Sequence, residues 1–149
     1  MSESRIMLGL DLGAKRIGLA LSDPDGRIAF PAGVIESHGR KRDLAAIREL
    51  IRARGVTRVV VGLPVHMSGR RGPEALAAQS FALDLAKSAG VPVETLDERW
   101  TSLEAERSLR EMGRSSKKRE RGEVDEIAAT LLLRSFLERR ERPATEVRS

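Results

Sequence analysis

The chain contains no cysteine, which excludes disulfides, thiolate nucleophiles and cysteine metal sites together. Any metal ion must therefore rest on oxygen or histidine ligands, and only two histidines, His38 and His66, are available. No apolar run approaches the roughly 18 residues of a membrane span, and the N-terminus lacks the long apolar stretch of a signal peptide. A cytoplasmic protein without a membrane partner is expected. Two nucleotide signatures are also missing. Gly9, Gly13 and Gly18 do not have the spacing of the three-glycine dinucleotide fingerprint, and no Gly-Lys-Ser or Gly-Lys-Thr loop occurs. Ordinary nicotinamide and nucleoside-triphosphate sites are thus disfavoured.

What is present suits one folded domain. The 149 residues can bury a sizeable core, and the 40% of hydrophobic residues fall in short blocks separated by turns and charges. Lysine and arginine number 27 against 22 acidic residues, a net charge of +5. Their distribution is more telling than their sum. Arg114, Lys117, Lys118, Arg119 and Arg121 crowd one segment opposed only by Glu120, a local basic surface suited to a polyanion.

The periodicity predicts an α/β fold. Residues 6–11 and 17–21 read as strands joined by a turn containing Gly13, and Ser22-Asp23-Pro24-Asp25-Gly26 is a turn before a third strand over 28–35. Leu44, Ile47 and Ile51 mark one face of a helix over 42–54, stopped by Gly55. A buried strand over 58–61, a polar loop over 65–73, a helix over 74–89 and a strand over 91–96 follow. Thr101-Ser102-Leu103-Glu104 resembles a capping box opening a helix to Met112, and a last helix runs over 124–137. Residues 1–140 are expected to form the domain, with 141–149 a polar, frayed tail.

Three acidic positions are candidates for chemistry. Asp11 ends a strongly apolar strand, where an unpaired carboxylate is costly, although it could equally cap the turn. Asp97 and Glu98 end a later strand, and alternation sends them to opposite faces without choosing between them. Asp125 falls on the flank of the last helix if Val124, Ala128, Leu131 and Ser135 define its buried centre. Three separated carboxylates suit magnesium or manganese, and two such ions can bridge a scissile phosphate and activate water. Lys15 and Arg16 are the basic residues nearest Asp11.

These residues carry a family resemblance. Gly9-Leu10-Asp11-Leu12-Gly13-Ala14-Lys15-Arg16-Ile17-Gly18-Leu19-Ala20 with Ser22-Asp23, Gly62-Leu63-Pro64 with Gly69 and Gly72-Pro73, Asp97-Glu98-Arg99 with Thr101, and Asp125 with Ala128-Ala129 resemble, in order, the signature blocks of the bacterial YqgF/RuvX proteins. The resemblance implies a ribonuclease H-like fold, a five-stranded mixed sheet with its first three strands antiparallel, flanked by helices. It implies catalytic and metal-holding roles for Asp11, Glu98 and Asp125, with Asp97 the alternate middle ligand. Lys15, Arg16, Arg99, Lys117, Lys118 and Arg119 become candidate substrate contacts. The implied cofactor is magnesium or manganese, two ions when substrate is bound.

The implied function is hydrolysis of nucleic-acid phosphodiesters, first in 5′-end maturation of pre-16S ribosomal RNA, with a pre-ribosomal particle as a possible partner. The alternatives are a Holliday-junction resolvase acting on branched DNA, or a nucleic-acid-binding ribosome-biogenesis module without turnover. Monomer and homodimer both remain open. His66-Met67-Ser68-Gly69, Trp100 and Ser102 depart from the commoner family pattern without removing a carboxylate. A loop histidine such as His66 needs no catalytic role.

Overall fold

The computed structural model describes residues 4–66, 68–100 and 121–140. Strand β1 (Ile6–Leu12) turns at Gly13–Arg16 into β2 (Arg16–Ser22), which leads to β3 (Ala29–Glu36). Helix α1 (Arg40–Arg54), β4 (Val56–Leu63), α2 (Pro73–Ser88) and β5 (Val93–Asp97) follow, then a single 3-10 turn (Glu98–Trp100) and helix α3 (Arg121–Arg140). The expected helix at 101–112, the basic segment with Lys117, Lys118 and Arg119, and the tail at 141–149 lie outside the described residues.

The sheet order is β3-β2-β1-β4-β5. β1 pairs antiparallel with β2, which pairs antiparallel with β3, while β4 runs parallel to β1 and to β5. Pro31, which cannot donate a ladder hydrogen bond, accordingly sits on an edge strand. β5 begins two residues later than the apolar pattern implies. Pro92 has no N–H to offer β4, and its carbonyl accepts from Val59 N at 3.0 Å.

Strand alternation splits the core into two layers. Leu8, Leu10, Val59 and Val61 pack on the side of α1 and α2 with Ile47, Ile51, Phe81 and Leu85. Met7, Ala20, Val60 and Leu96 pack on the other side, under Ala129, Leu132, Leu133 and Phe136 of α3. Each fully buried leucine or valine is worth about 1.5–3 kcal/mol against its exposed state. Hydrophobic positions at both parities explain why β1 and β4 read as continuous apolar runs.

The buried face of α3 corrects the expected one. Leu131 is buried as expected and Ala128 and Ser135 are only half-buried, whereas Ala129, Leu132, Leu133, Phe136 and Leu137 are buried beside it. A helix lying flat on a sheet buries a broad face, and here Leu133 fills the hollow above Gly9, its Cβ 3.0 Å from where a Gly9 Cβ would stand. Asp125 lies one helical turn before Ala129 and thus belongs to this face rather than to its flank.

Gly18 fixes where the helix lands. A Cβ on Gly18 would lie 2.1 Å from the backbone oxygen of Asp125, and backbone cannot yield as a side-chain tip can. Gly18→Ala is therefore expected to displace the start of α3 and to cost about 1–3 kcal/mol. Thermal denaturation should show a midpoint lowered by about 2–12 °C; an unchanged midpoint would contradict this seat.

Candidate active site

β1 aims Met7, Gly9 and Asp11 at the α3 layer, and the register places Asp11 directly opposite Gly18 of β2. On the other side of β1, Leu10 pairs with Val61, so that Gly62 comes beside Asp11. Leu96 faces α3, and Glu98, two residues on, shares its parity. A Cβ on Gly62 would lie 2.5 Å from Glu98 Oε2 and 3.0 Å from its Cγ. The Glu98 side chain thus lies across the bare backbone of Gly62, toward Asp11. Two missing side chains make the room into which two carboxylates converge.

Asp11 and Glu98 meet through a side-chain hydrogen bond in which the Glu98 carboxyl donates. Burial holds the Asp11 carboxyl above its ordinary range; the Glu98 hydrogen bond opposes that push and the Asp125 charge adds to it. Burial, the Asp11 charge, the shared hydrogen bond and the Asp97 charge push Glu98 up to about 8. At neutral pH the metal-free pair therefore holds one proton between its members.

Asp97 takes the opposite course. Its Oδ2 accepts from Arg99 Nε and Nη2 at 2.9 and 2.6 Å, and its Oδ1 accepts from the Arg99 backbone N–H at 2.9 Å. The Arg99 hydrogen bonds hold the Asp97 carboxyl below the usual carboxylate range. The structure brings Glu98, not Asp97, to Asp11. Asp125 is close enough for its charge to act on Asp11, and its Oδ2 accepts from Arg16 Nε at 2.9 Å. Arg16 is thereby engaged with a carboxylate at the site, and Lys15 is exposed at the hairpin tip.

Around this cluster, His66 and Gly69 close a tight loop: Gly69 N donates to His66 O at 2.7 Å, and His66 N donates to Arg70 O at 2.9 Å. The imidazole of His66 rests against Gly72, its Nε2 3.0 Å from where a Gly72 Cβ would stand. Sequence reasoning missed Gly18 and Gly62 as the seats of Asp125 and Glu98. The available signal was a glycine inside an otherwise apolar strand, which marks a close approach by another group.

The donor set fits a hard divalent cation. All three groups are carboxylates, two already touch, and the shared proton is what a cation would replace. Among the described residues no three acidic or histidine side chains close into a complete cage, and Asp125 is engaged by Arg16.

The mixed sheet with its first three strands antiparallel, and acidic groups gathered where β1 ends, is a ribonuclease H-like fold. The structure of Thermus thermophilus RuvC in complex with Holliday junction substrate superposes with a TM-score of 0.60 at 18% identity, covering 91% of this chain and 96% of that one, a likeness of fold. The profile of the RuvX family, described as Holliday junction resolvase, matches residues 5–139. A Chloroflexus aurantiacus protein named "Putative pre-16S rRNA nuclease" is 46% identical over 136 residues, 91% of this chain and 88% of its own length. An Anaeromyxobacter dehalogenans protein of the same name is 48% identical over 133 residues, 89% of this chain and 96% of its own. The chain belongs to the RuvX family.

The raised carboxyl values make the site a source of pH-dependent instability. Glu98 binds its proton more tightly folded than unfolded, so its contribution is complete below about pH 4.5 and is lost as pH rises through about 8. In metal-free buffer the thermal midpoint should fall over that window. Glu98→Gln should flatten the curve, and an equal slope in wild type and variant would refute the pairing. Gly62→Ala, which meets a movable side chain, should fold and flatten it in the same way.

Proposed function

We propose that the protein is a divalent-metal-dependent nuclease in which Asp11, Glu98 and Asp125 hold the ions. The half-buried, hydrogen-bonded Asp11–Glu98 pair carries this reading, because a fold gains no stability by pressing two carboxylates together and a cation gives the arrangement a purpose. When bound, magnesium or manganese supplies Lewis-acid activation of water and neutralises charge at the scissile phosphate.

The chain's own groups do the rest. Half-burial of the pair lowers the local dielectric around the two carboxylates and strengthens their field. Arg16 orients Asp125 across a 2.9 Å ion pair, and Asp97 orients Arg99 through the paired hydrogen bonds above. Lys15, Arg16, Arg99 and the basic segment containing Lys117, Lys118 and Arg119 hold substrate phosphates. Water attacks phosphorus, the bond to the 3′ oxygen breaks, and the products carry a 5′-phosphate and a 3′-hydroxyl.

Precursor 16S ribosomal RNA is the first substrate, supported by the names of relatives at 46–48% identity. The family's description as a Holliday junction resolvase supports branched DNA as the second. Paired cuts at a junction call for two sites, hence a dimer, whereas one RNA strand can be cut by a monomer. A binding module without turnover would leave the carboxylates dispensable. A cytoplasmic setting follows from either substrate, and among the described residues no helix is long and apolar enough to cross a membrane.

The test is cleavage of precursor ribosomal RNA, single-stranded RNA and four-way DNA junctions in Mn²⁺, comparing wild type with Asp11→Asn. Metal-dependent cutting should fall by more than the roughly 10–100-fold typical of groups that merely support a ligand, with the fold retained. Turnover at the wild-type rate in the purified variant would sink the role of Asp11. A wild type that cuts none of the three favours the binding module.

A further inference from the structure

The turn Ser22–Gly26 is part of the signature yet lies at the opposite end of the sheet from the carboxylates. Its hydrogen bonds are dense. Ser22 Oγ accepts from Met7 N at 2.8 Å, Arg5 N donates to Pro24 O at 2.8 Å, and the Asp23 carboxylate accepts from Arg27 N and Ile28 N, each at 2.8 Å. Gly26 packs against the Arg5 carbonyl, where a Cβ would lie 3.1 Å from the oxygen. These bonds lock the backbone roots of Arg5 and Arg27 side by side. Arg140 arrives from the last turn of α3, its guanidinium 5.6 Å from the Phe136 ring centroid.

Arg5, Arg27 and Arg140 line one concavity of about 670 Å³, floored by Met7 and Leu137 and rimmed by Asp25. Among the described residues none of the three guanidiniums has an ion-pair partner, and Asp25 is the single acidic one lining the hollow. By contrast, Arg16, Arg40, Arg58 and Arg99 each meet a carboxylate. Three cations held around a hollow with one opposing charge form a receptor for an anion whose oxygens can take several N–H donors at once.

We propose that Arg5, Arg27 and Arg140 form a second phosphate-binding site, one that grips the sugar-phosphate backbone of nucleic acid remote from the bond at the carboxylates. The choice of nucleic acid over a small free anion rests on the nuclease reading above, and on spacing. Six residues of extended chain separate Arg5 from Asp11, roughly 20 Å. Fifteen residues of helix separate Asp125 from Arg140, roughly 22 Å. Phosphates advance about 3.4 Å per nucleotide along one strand of a duplex, so the span corresponds to about six base pairs. The remote site would set the register of a flanking arm, and would add affinity without choosing a base.

The test compares wild type with the triple variant Arg5→Gln, Arg27→Gln, Arg140→Gln, and with the corresponding triple Lys variant, by fluorescence anisotropy on a labelled RNA duplex of about 20 base pairs and a labelled RNA hairpin with a stem of about four. On the long duplex the Gln variant should bind roughly tenfold more weakly, with the slope of log affinity against log salt reduced by about two, and the Lys variant should recover most of the slope. The short hairpin, unable to span both sites and held at one or the other, should lose at most about twofold in affinity. Thermal midpoints report that each variant folds.

Equal salt slopes for wild type and the Gln variant on the long duplex would overturn the proposal, as would equal losses on the long duplex and the short hairpin. So would a site whose variants change only the protection given by inorganic phosphate against unfolding, since that marks a small-anion pocket. The nuclease reading is judged separately. A wild type that cuts nothing, with the length-dependent loss still present, refutes catalysis and supports the remote site; intact cutting with no length-dependent loss does the reverse.

Discussion

The carbonyl of Asp125 lies where a side chain on Gly18 would have to be, and that contact governs the arrangement of the site. β1 and β2 set Asp11 opposite Gly18, so whatever lands on Gly18 lands beside Asp11. Because the landing group is helix backbone, the approach is set by atoms that cannot rotate away. The rest of α3 is held by Leu132, Leu133 and Phe136 over the same sheet layer, which turns a packing decision into the placement of a carboxylate. Gly62 does the equivalent for Glu98 on the far side of β1.

Converging carboxylates have an energetic consequence. Asp11 and Glu98 are both shifted upward by burial, and each lies near another acidic group: Asp125 for the first, Asp97 for the second. The protein answers by placing Arg99 on Asp97 and Arg16 on Asp125, leaving only the central pair to share a proton. That distribution separates the two ion-paired acids, Asp97 and Asp125, from the pair that shares a proton. It also explains why Asp97 and Glu98, adjacent in sequence, differ so much in character: the strand ends at Asp97, and the 3-10 turn carries Glu98 back over Gly62 while Asp97 folds onto Arg99.

Much of the fold was legible because strand and helix periods differ sharply. The hairpin, the switch to helix expected over 42–54 and found over Arg40–Arg54, and the buried β4 all followed from apolar spacing and turn residues. The face of α3 was misread because its apolar residues cover more than one stripe, so the sheet surface, and in particular the hollow above Gly9, decides which of them is central. Asp11 was visible as an acid ending an apolar strand. The choice between Asp97 and Glu98 was open by alternation, since it depends on where the strand stops. Partnerships such as Arg16 with Asp125, 109 residues apart, leave no trace in spacing at all.

On the proposed reading, Asp11 and Glu98 are brought together to receive a divalent cation. Thermal unfolding of the wild type and of Asp11→Asn, with and without Mn²⁺, at a pH below and a pH above the Glu98 value of about 8, tests it most directly. Because a bound cation must displace the shared proton, Mn²⁺ should raise the wild-type midpoint more at the higher pH. The variant should show little stabilisation at either. Equal stabilisation of both proteins by Mn²⁺ would contradict the claim.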